Sequence, residues 1–425
     1  MAIILRIVER HAEDAAFLWT LRDRHASGKT FRLWDLARLD RRLDAHLDGL
    51  RIAGEDGWTL CSEALVHRAN GEVFAAAVTA FESGRPHRID TIFDLVADRP
   101  DLARGLISAL GWTTAEVARR QIGQLLASGS TLFRRAGVAA AAIRRLDPGP
   151  VLESSLEDVE DSFLTARALE AVGELGLREM LPLVLVHLAS SDEHIRFSAA
   201  WSASLLGDKS ALPVLGAFAL EPGSRAGSAC ALGLRCLRPR DACQTHQALA
   251  DCPELSRLAV AAVGTIGDPA LVEWLLPCLR VPALARLAGE SFALITGIDL
   301  GHPAFSADRP DGFVAGPTDD PADEDVTPDP DADLPWPDPA KIEEWWYRFG
   351  PEFRVGTRYL LGRPITPENA CAILLAGRQH ERAAAAIELA LETGGSLVEI
   401  RAPGFFQQQH TARLLSRRLA VTLQT

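Results

Sequence analysis

No stretch of the 425-residue chain reaches 18 uninterrupted apolar residues, so the sequence offers no helix that would span a membrane. The apolar run within Met1-Ala-Ile-Ile-Leu-Arg-Ile-Val is too short for a secretory signal. Seven cysteines, an odd number with no Cys-x-x-Cys pair, exclude a zinc framework and a disulfide scaffold. These absences predict a soluble, cytoplasmic, thiol-reduced protein with no membrane insertion.

Catalytic patterns are missing too. There is no Gly-x-Ser-x-Gly elbow, and Gln121-Ile-Gly-Gln-Leu-Leu-Ala-Ser-Gly129 has neither the dinucleotide glycines nor a P-loop lysine. His187 and His194 have no cysteine or serine at motif spacing and are expected to cap or to sit half-exposed. The best metal-ligating candidate is the loop 299–311, where Asp299, His302, Asp308 and Asp311 gather carboxylates and an imidazole without a helical His-x-x-x-His pairing. A solvated loop is the better reading, so no catalytic residue, metal or cofactor is expected. An enzyme or ligand-binding protein using 299–311 is the alternative.

The net charge is −13, and eleven acidic residues against the single base Arg309 lie between Asp308 and Asp338. The rest of the chain is close to balanced and lacks a Lys/Arg stripe with interleaved aromatics, which argues against nucleic acid.

An arginine returns at nearly constant spacing: Arg104, Arg135, Arg167, Arg196, Arg225, Arg257 and Arg286, with steps of 31, 32, 29, 29, 32 and 29 residues. Most of them open an Ala-rich apolar segment closing on glycine, as in Arg196 to Gly207 and Arg257 to Gly267. A period near 30 fits two short helices and their turns. Gly176, Gly207, Gly233, Gly267 and Gly297 are read as stops for the second helices. Asp192 and Glu254, just upstream of two arginines, are placed to receive turn amides or the arginine itself, so intra-repeat pairing is expected. The fold class is therefore all-α, an α-solenoid of HEAT-like repeats with helical N- and C-terminal regions.

The chain divides into four regions. Residues 1–57 read as helical, with Phe17, Leu18 and Leu21 on one face and Leu39, Leu43, Leu47 and Leu50 as a stripe on the next helix. Residues 58–300 form the array. The Asp/Pro-rich segment 301–340 cannot be continuous helix and reads as an acidic linker or strap. From 341 to 425 helices resume, with Thr366-Pro367-Glu368 a start and Gly394-Gly395 a stop. Ile342, Trp345, Trp346 and Phe349 fall at i, i+3, i+4 and i+7, so that face must bury against the solenoid or a partner protein. Trp336, Trp345, Trp346 and Phe349 are thus the candidate partner-binding residues.

Several runs carry a resemblance: Leu39-Asp40 with Ala45 through Leu50, Arg196 through Trp201, Ala285 through Leu300, Asp320 through Glu324, Leu334 through Pro339 and Arg358 through Ile365. Over nearly its full length the chain resembles a proteobacterial family of HEAT-repeat proteins, whose repeats are also called phycobilisome-lyase-type. Its genes often lie beside type VI secretion genes. The resemblance implies a fold and a setting, not a reaction. It makes the chain a candidate adaptor or chaperone-like accessory for a secretion effector or spike component, within the broader class of non-enzymatic interaction scaffolds.

Overall fold

The computed structural model describes residues 4–157, 159, 161–318, 327–403 and 407. The chain divides into two compact units: unit 1 holds residues up to Leu206, Leu374–His380 and those from Gly394 on, and unit 2 holds Gly207–Ile373 and Glu381–Thr393. Among the described residues the architecture is all-α, apart from one two-stranded ribbon.

In unit 1 the helices are α1 (Leu5–Ala26), α2 (Leu33–Ala53), α3 (Glu55–Ala64), α4 (Asn70–Ser83), α5 (Pro86–Asp98), α6 (Ala103–Trp112), α7 (Ala115–Leu126), α8 (Thr131–Arg144), α9 (Pro150–Glu157), α10 (Ser162–Leu175), α11 (Leu181–Val186) and α12 (Glu193–Leu205). Helices α1, α4, α6, α8, α10 and α12 stack each on the next, and the others form the covering layer. That is solenoid packing, in which each hairpin buries its apolar face on its neighbour. Unit 2 repeats the pattern with α13 (Leu212–Leu220), α14 (Ala226–Cys236), α15 (Pro239–Ala250), α16 (Ser256–Ile266), α17 (Val272–Leu275) and α18 (Pro282–Thr296). Helices α14, α16 and α18 are the stacked set there. After the acidic segment come α19 (Pro339–Phe349) and a ribbon of β1 (Tyr359–Leu360) and β2 (Arg363–Pro364). The last helices are α20 (Pro367–Ala376) and α21 (Gln379–Thr393), and the unit boundary falls within both.

Each arginine of the ladder sits at or near the start of a stacked helix, from Arg104 on α6 to Arg286 on α18. Gly176, Gly207, Gly267 and Gly297 take positive φ just past helix ends, as a C-terminal stop requires. Gly233 does not. It lies inside α14, which runs on to Cys236 and halts before Pro239. The leucine stripe of α2 is buried throughout. On α1 the buried face is Val8, Ala12, Ala15, Leu18 and Trp19; Leu18 lies at one edge of it, so the 100° step outward from Leu18 carries Phe17 to the opposite side, where it is 63% exposed. His187 is buried rather than half-exposed, its Nε2 2.9 Å from the Leu156 carbonyl. Ser155 is a mid-helix residue of α9 that donates to the Val151 carbonyl. From 341 on, the chain is not helical throughout, since the β-ribbon interrupts it.

The stacked helices approach very closely. A Cβ on Gly173 would lie 2.9 Å from Ser202 Cα, and one on Gly264 would lie 2.9 Å from Ser291 Cα. At both contacts the serine hydroxyl donates to a carbonyl one turn before the glycine: Ser202 to Leu169 at 2.6 Å and Ser291 to Val260 at 2.9 Å. A helix-interior glycine costs about 1 kcal/mol against alanine, so it persists where the neighbouring backbone leaves no room for a methyl group. Replacing Gly264 by alanine should therefore destabilise the protein by about 1–3 kcal/mol through overpacking. Gly216 in α13 has nothing within 4 Å of its virtual Cβ, so Gly216→Ala should be neutral or stabilising by up to about 1 kcal/mol. Thermal melts of the two variants check both expectations.

Candidate functional site

The stacked helices end in carbonyl groups with no partner inside the helix, and buried carbonyls need donors. In unit 2 the ribbon supplies them. Tyr359 N–H donates to the Gly267 carbonyl at 2.8 Å, Leu361 N–H to Leu294 at 2.6 Å and Gly362 N–H to Ile295 at 3.0 Å. Arg358 Nε donates to the Ile266 carbonyl at 3.0 Å, and its guanidinium also grips the Glu388 carboxylate. Arg235 Nε lies 3.0 Å from Glu388 Oε1, an ion-pair distance with an angle too bent for a hydrogen bond. Glu388 is buried between two arginines, and burial holds the Arg235 guanidinium below its usual range despite that carboxylate.

At the other end of α16 and α18, ladder arginines hold the acidic segment. Arg257 Nη2 donates to Asp331 Oδ2 at 2.7 Å. Arg286 donates to the Asp331 carbonyl and to Asp329 Oδ1, both at 2.9 Å. The Arg286 guanidinium lies 4.6 Å from the Trp336 ring centre, within cation–π range. The described part of 301–340 is therefore a docked strap, with Asp331 and Leu334 buried and Ser306 bridged to Pro337. Intra-repeat acid pairing fails for these two arginines, whose carboxylates come from the strap. Asp192 accepts the His194 and Ile195 amides as an N-cap, and Glu254 accepts from the Cys252 thiol. Arg167 does pair within its own helix, with Glu174 at 2.7 Å.

The candidate partner-binding aromatics all lie in unit 2. Trp346 is 7% exposed, its indole N–H donating to Glu273 Oε1 at 3.1 Å; Trp345, Trp336 and Phe349 are half-buried. Trp345 and Trp346 each meet Phe292 of α18 edge-on at 5.8 Å, and Phe349 rests on Trp345 at 5.2 Å. Helix α19 thus packs its apolar face on α18 and α17, with Ile342 fully buried. In the loop 299–311, Asp299 Oδ1 accepts the Gly301 amide and His302 Nδ1 the Ala304 amide, while Asp308 and Asp311 are exposed. Among the described residues no three His, Cys, Asp or Glu side chains are grouped as a metal ion would need.

Unit 1 holds a second non-helical segment, residues 394–403. Five of its carbonyls accept side-chain donors: Gly394 from Arg178, Leu397 from Arg145, Ile400 from Gln379, and Arg401 and Ala402 from Arg22 at 2.8 Å each. Its Leu397 N–H donates back to the Glu174 carbonyl at 2.9 Å. Arg22 is 4% exposed, and its Nε pairs with Asp40 at 2.7 Å. Beside the segment is a cavity of about 500 Å³ lined by Arg104, Trp112, Arg167, Glu170, Glu399 and Arg401, among others. Sequence reasoning missed Arg22, Arg145 and Arg178 because they fall off the 30-residue register. Glu388 did leave a signal, as a lone charge in the apolar run Ala383–Leu391.

Residues 149–235, from α9 into α14, match the family model for HEAT repeats. No curated protein matches the chain. HEAT repeats commonly mediate protein–protein interaction, and the fold is typically a non-enzymatic scaffold.

The aromatic face and the strap of unit 2 can each be probed by a single substitution. Trp346→Ala should cost about 3–5 kcal/mol in a denaturant melt, and Trp345→Ala less, because Trp345 is already partly in water. Burial works to raise the Asp329 carboxyl, but the Asp331 amide and the hydrogen bond and charge of Arg286 outweigh it and hold it below the usual carboxylate range. A depressed carboxylate stabilises the fold above its ordinary pKa, and that contribution disappears as pH falls through the folded value. Asp329→Asn should therefore cost about 1–2 kcal/mol near neutrality, and its gap from the parent should close below about pH 4. Melting both proteins across a pH series measures that gap.

Proposed function

We propose that the protein is a non-enzymatic interaction scaffold that holds non-helical segments of partner proteins, serving as an adaptor or chaperone-like accessory for a type VI secretion effector or spike component. One observation carries the scaffold reading: in each unit, arginines at the ends of stacked helices hold irregular chain through its carbonyls and carboxylates. Main-chain recognition of this kind is tolerant of sequence, as a holder of varied cargo needs. Arginine suits the task, since its planar fork stays charged and reaches two acceptors at once. The resemblance to a family encoded near type VI secretion genes supplies the setting. In the loop 299–311, Asp299 Oδ1 and His302 Nδ1 accept amides of their own loop, which favours a loop that satisfies itself over the ligand-binding alternative.

Affinity purification from the native host under type VI-active conditions, with mass spectrometry, tests the reading. An effector or spike component should co-purify in stoichiometric amount and survive nuclease treatment. A chain that purifies alone, or with nucleic acid, would sink it.

A further inference from the structure

The segment 394–403 in unit 1 is held in an unusual balance. Its polar contacts are numerous, with five carbonyls and one amide bonded to groups of the helical body. Its buried apolar side chains are small, Val398, Ala402 and Pro403, while Leu397 and Ile400 stay half-buried. The strap of unit 2, by contrast, is fastened by Leu334 and by Trp336 against Phe313 and Arg286. Apolar burial is what resists exchange with water, whereas hydrogen bonds to solvent can replace main-chain bonds at little net change. The unit 1 segment is therefore the less firmly fastened of the two.

Its charge points the same way. Glu399 lies within electrostatic reach of Arg104, Arg145 and Arg167, while its own Oε1 accepts the neighbouring Arg401 amide at 2.7 Å. Arg104 and Arg167 line, together with Glu399, a cavity of about 500 Å³ that the segment leaves unfilled, and neither guanidinium clamps that carboxylate. Arg104 already has Asp23, and Arg167 has Glu174, so their positions are fixed before any ligand arrives. Pre-set donors lower the ordering cost of binding.

We propose that the groove of unit 1 along Arg22, Arg104, Arg145 and Arg167 is a binding site for a non-helical peptide segment of a partner protein, read through its main-chain carbonyls and one acidic side chain, with residues 394–403 occupying it in cis when no partner is present. This rests on the scaffold reading and names the chemistry of its cargo: an irregular stretch carrying Asp or Glu two residues after a main-chain carbonyl in the place of Leu397. Binding requires the cis segment to leave, so affinity is reduced by the fraction of molecules in which the groove is occupied.

The test uses the full chain and a fluorescently labelled peptide of residues 394–403, Gly-Gly-Ser-Leu-Val-Glu-Ile-Arg-Ala-Pro. Val398→Asp places a charge where the side chain is 3% exposed and so expels the cis segment without touching the groove. The variant should bind the peptide at least about tenfold more tightly than the parent chain. That binding should weaken about tenfold when the peptide carries Glu399→Gln, and again when the protein also carries Arg145→Ala. A folded variant that binds no better than the parent would overturn the proposal, as would a peptide whose affinity ignores the glutamate. A variant that dimerises on gel filtration and releases monomer on adding peptide would show that the occupant is a second copy, which also overturns it. Should the variant fail to fold, hydrogen exchange on the parent decides. The Leu397 amide should open well before the amides of α10; exchange only on global unfolding would make the segment a permanent part of the fold. Capture of a secretion component that the peptide cannot displace would leave the scaffold reading standing and remove this one.

Discussion

Stacked helices that touch backbone to backbone are the constraint on which the rest of this protein depends. Where Gly173 meets Ser202 and Gly264 meets Ser291, no methyl group fits between the helices. A packed interior tolerates such contacts only if successive repeats keep the same register. Once that register is fixed, equivalent positions recur along the stack, and helix ends align with them. The arginines of the first two turns and the carbonyls of the last turns then form rows rather than scattered points. A row of donors and a row of acceptors is a surface on which an irregular chain can be laid and satisfied residue by residue. The β-ribbon on α16 and α18 uses the acceptor row, and the acidic strap uses the donor row.

Buried arginines are costly unless paired, and that cost shapes the non-helical parts of the chain. Arg22 has Asp40 and two carbonyls, while Arg235 and Arg358 share Glu388. Removing one member would leave a charge stranded in low dielectric, typically at about 3–5 kcal/mol, although an apolar substitute of equal shape would often do as well. Such groups fix position more than they add stability. Each of them lies where an irregular stretch meets helix ends, which is where hydrophobic packing alone would leave the path of the chain unspecified.

The regular part of this architecture was legible in the sequence. Arginine spacing, glycine stops and the leucine stripe of α2 each report a local rule, and local rules survive folding. Gly233 misled because a glycine's sequence context is the same in a helix interior as at a stop; what ended α14 was Pro239. Phe17 misled because adjacency to Leu18 was read as sharing a face, when neighbours on a helix point 100° apart. The site was much less legible. Arg22 joins the nearby Asp40 to residues 401–402, which lie more than 370 positions away, and no periodicity encodes a contact between a helix and an irregular segment so distant in sequence. Even the ladder arginines were assigned to neighbours in their own turns, because partners such as Asp329 and Asp331 belong to a strap whose course only the folded chain fixes.

The two segments also differ in what holds them, and the difference bears on dynamics. Burying a tryptophan or leucine side chain contributes about 1.5–3 kcal/mol or more, whereas an alanine contributes a fraction of that and a main-chain hydrogen bond about 0.5–1.5 net. In unit 2, Trp345 and Trp346 tie α19 into an apolar cluster around Phe292, and Trp336 of the strap packs on Phe313 and on the Arg286 guanidinium of α18, so releasing either element exposes aromatic surface. In unit 1, the side chains that segment 394–403 buries are the smaller Val398, Ala402 and Pro403, so the bonds to Arg22, Arg145 and Gln379 carry a larger share of its attachment. Fastening by aromatic burial yields a structural strap, and fastening mainly by hydrogen bonds yields a segment that opens locally. The same arginine chemistry can therefore serve architecture in one unit and exchange in the other, with aromatic content deciding between them.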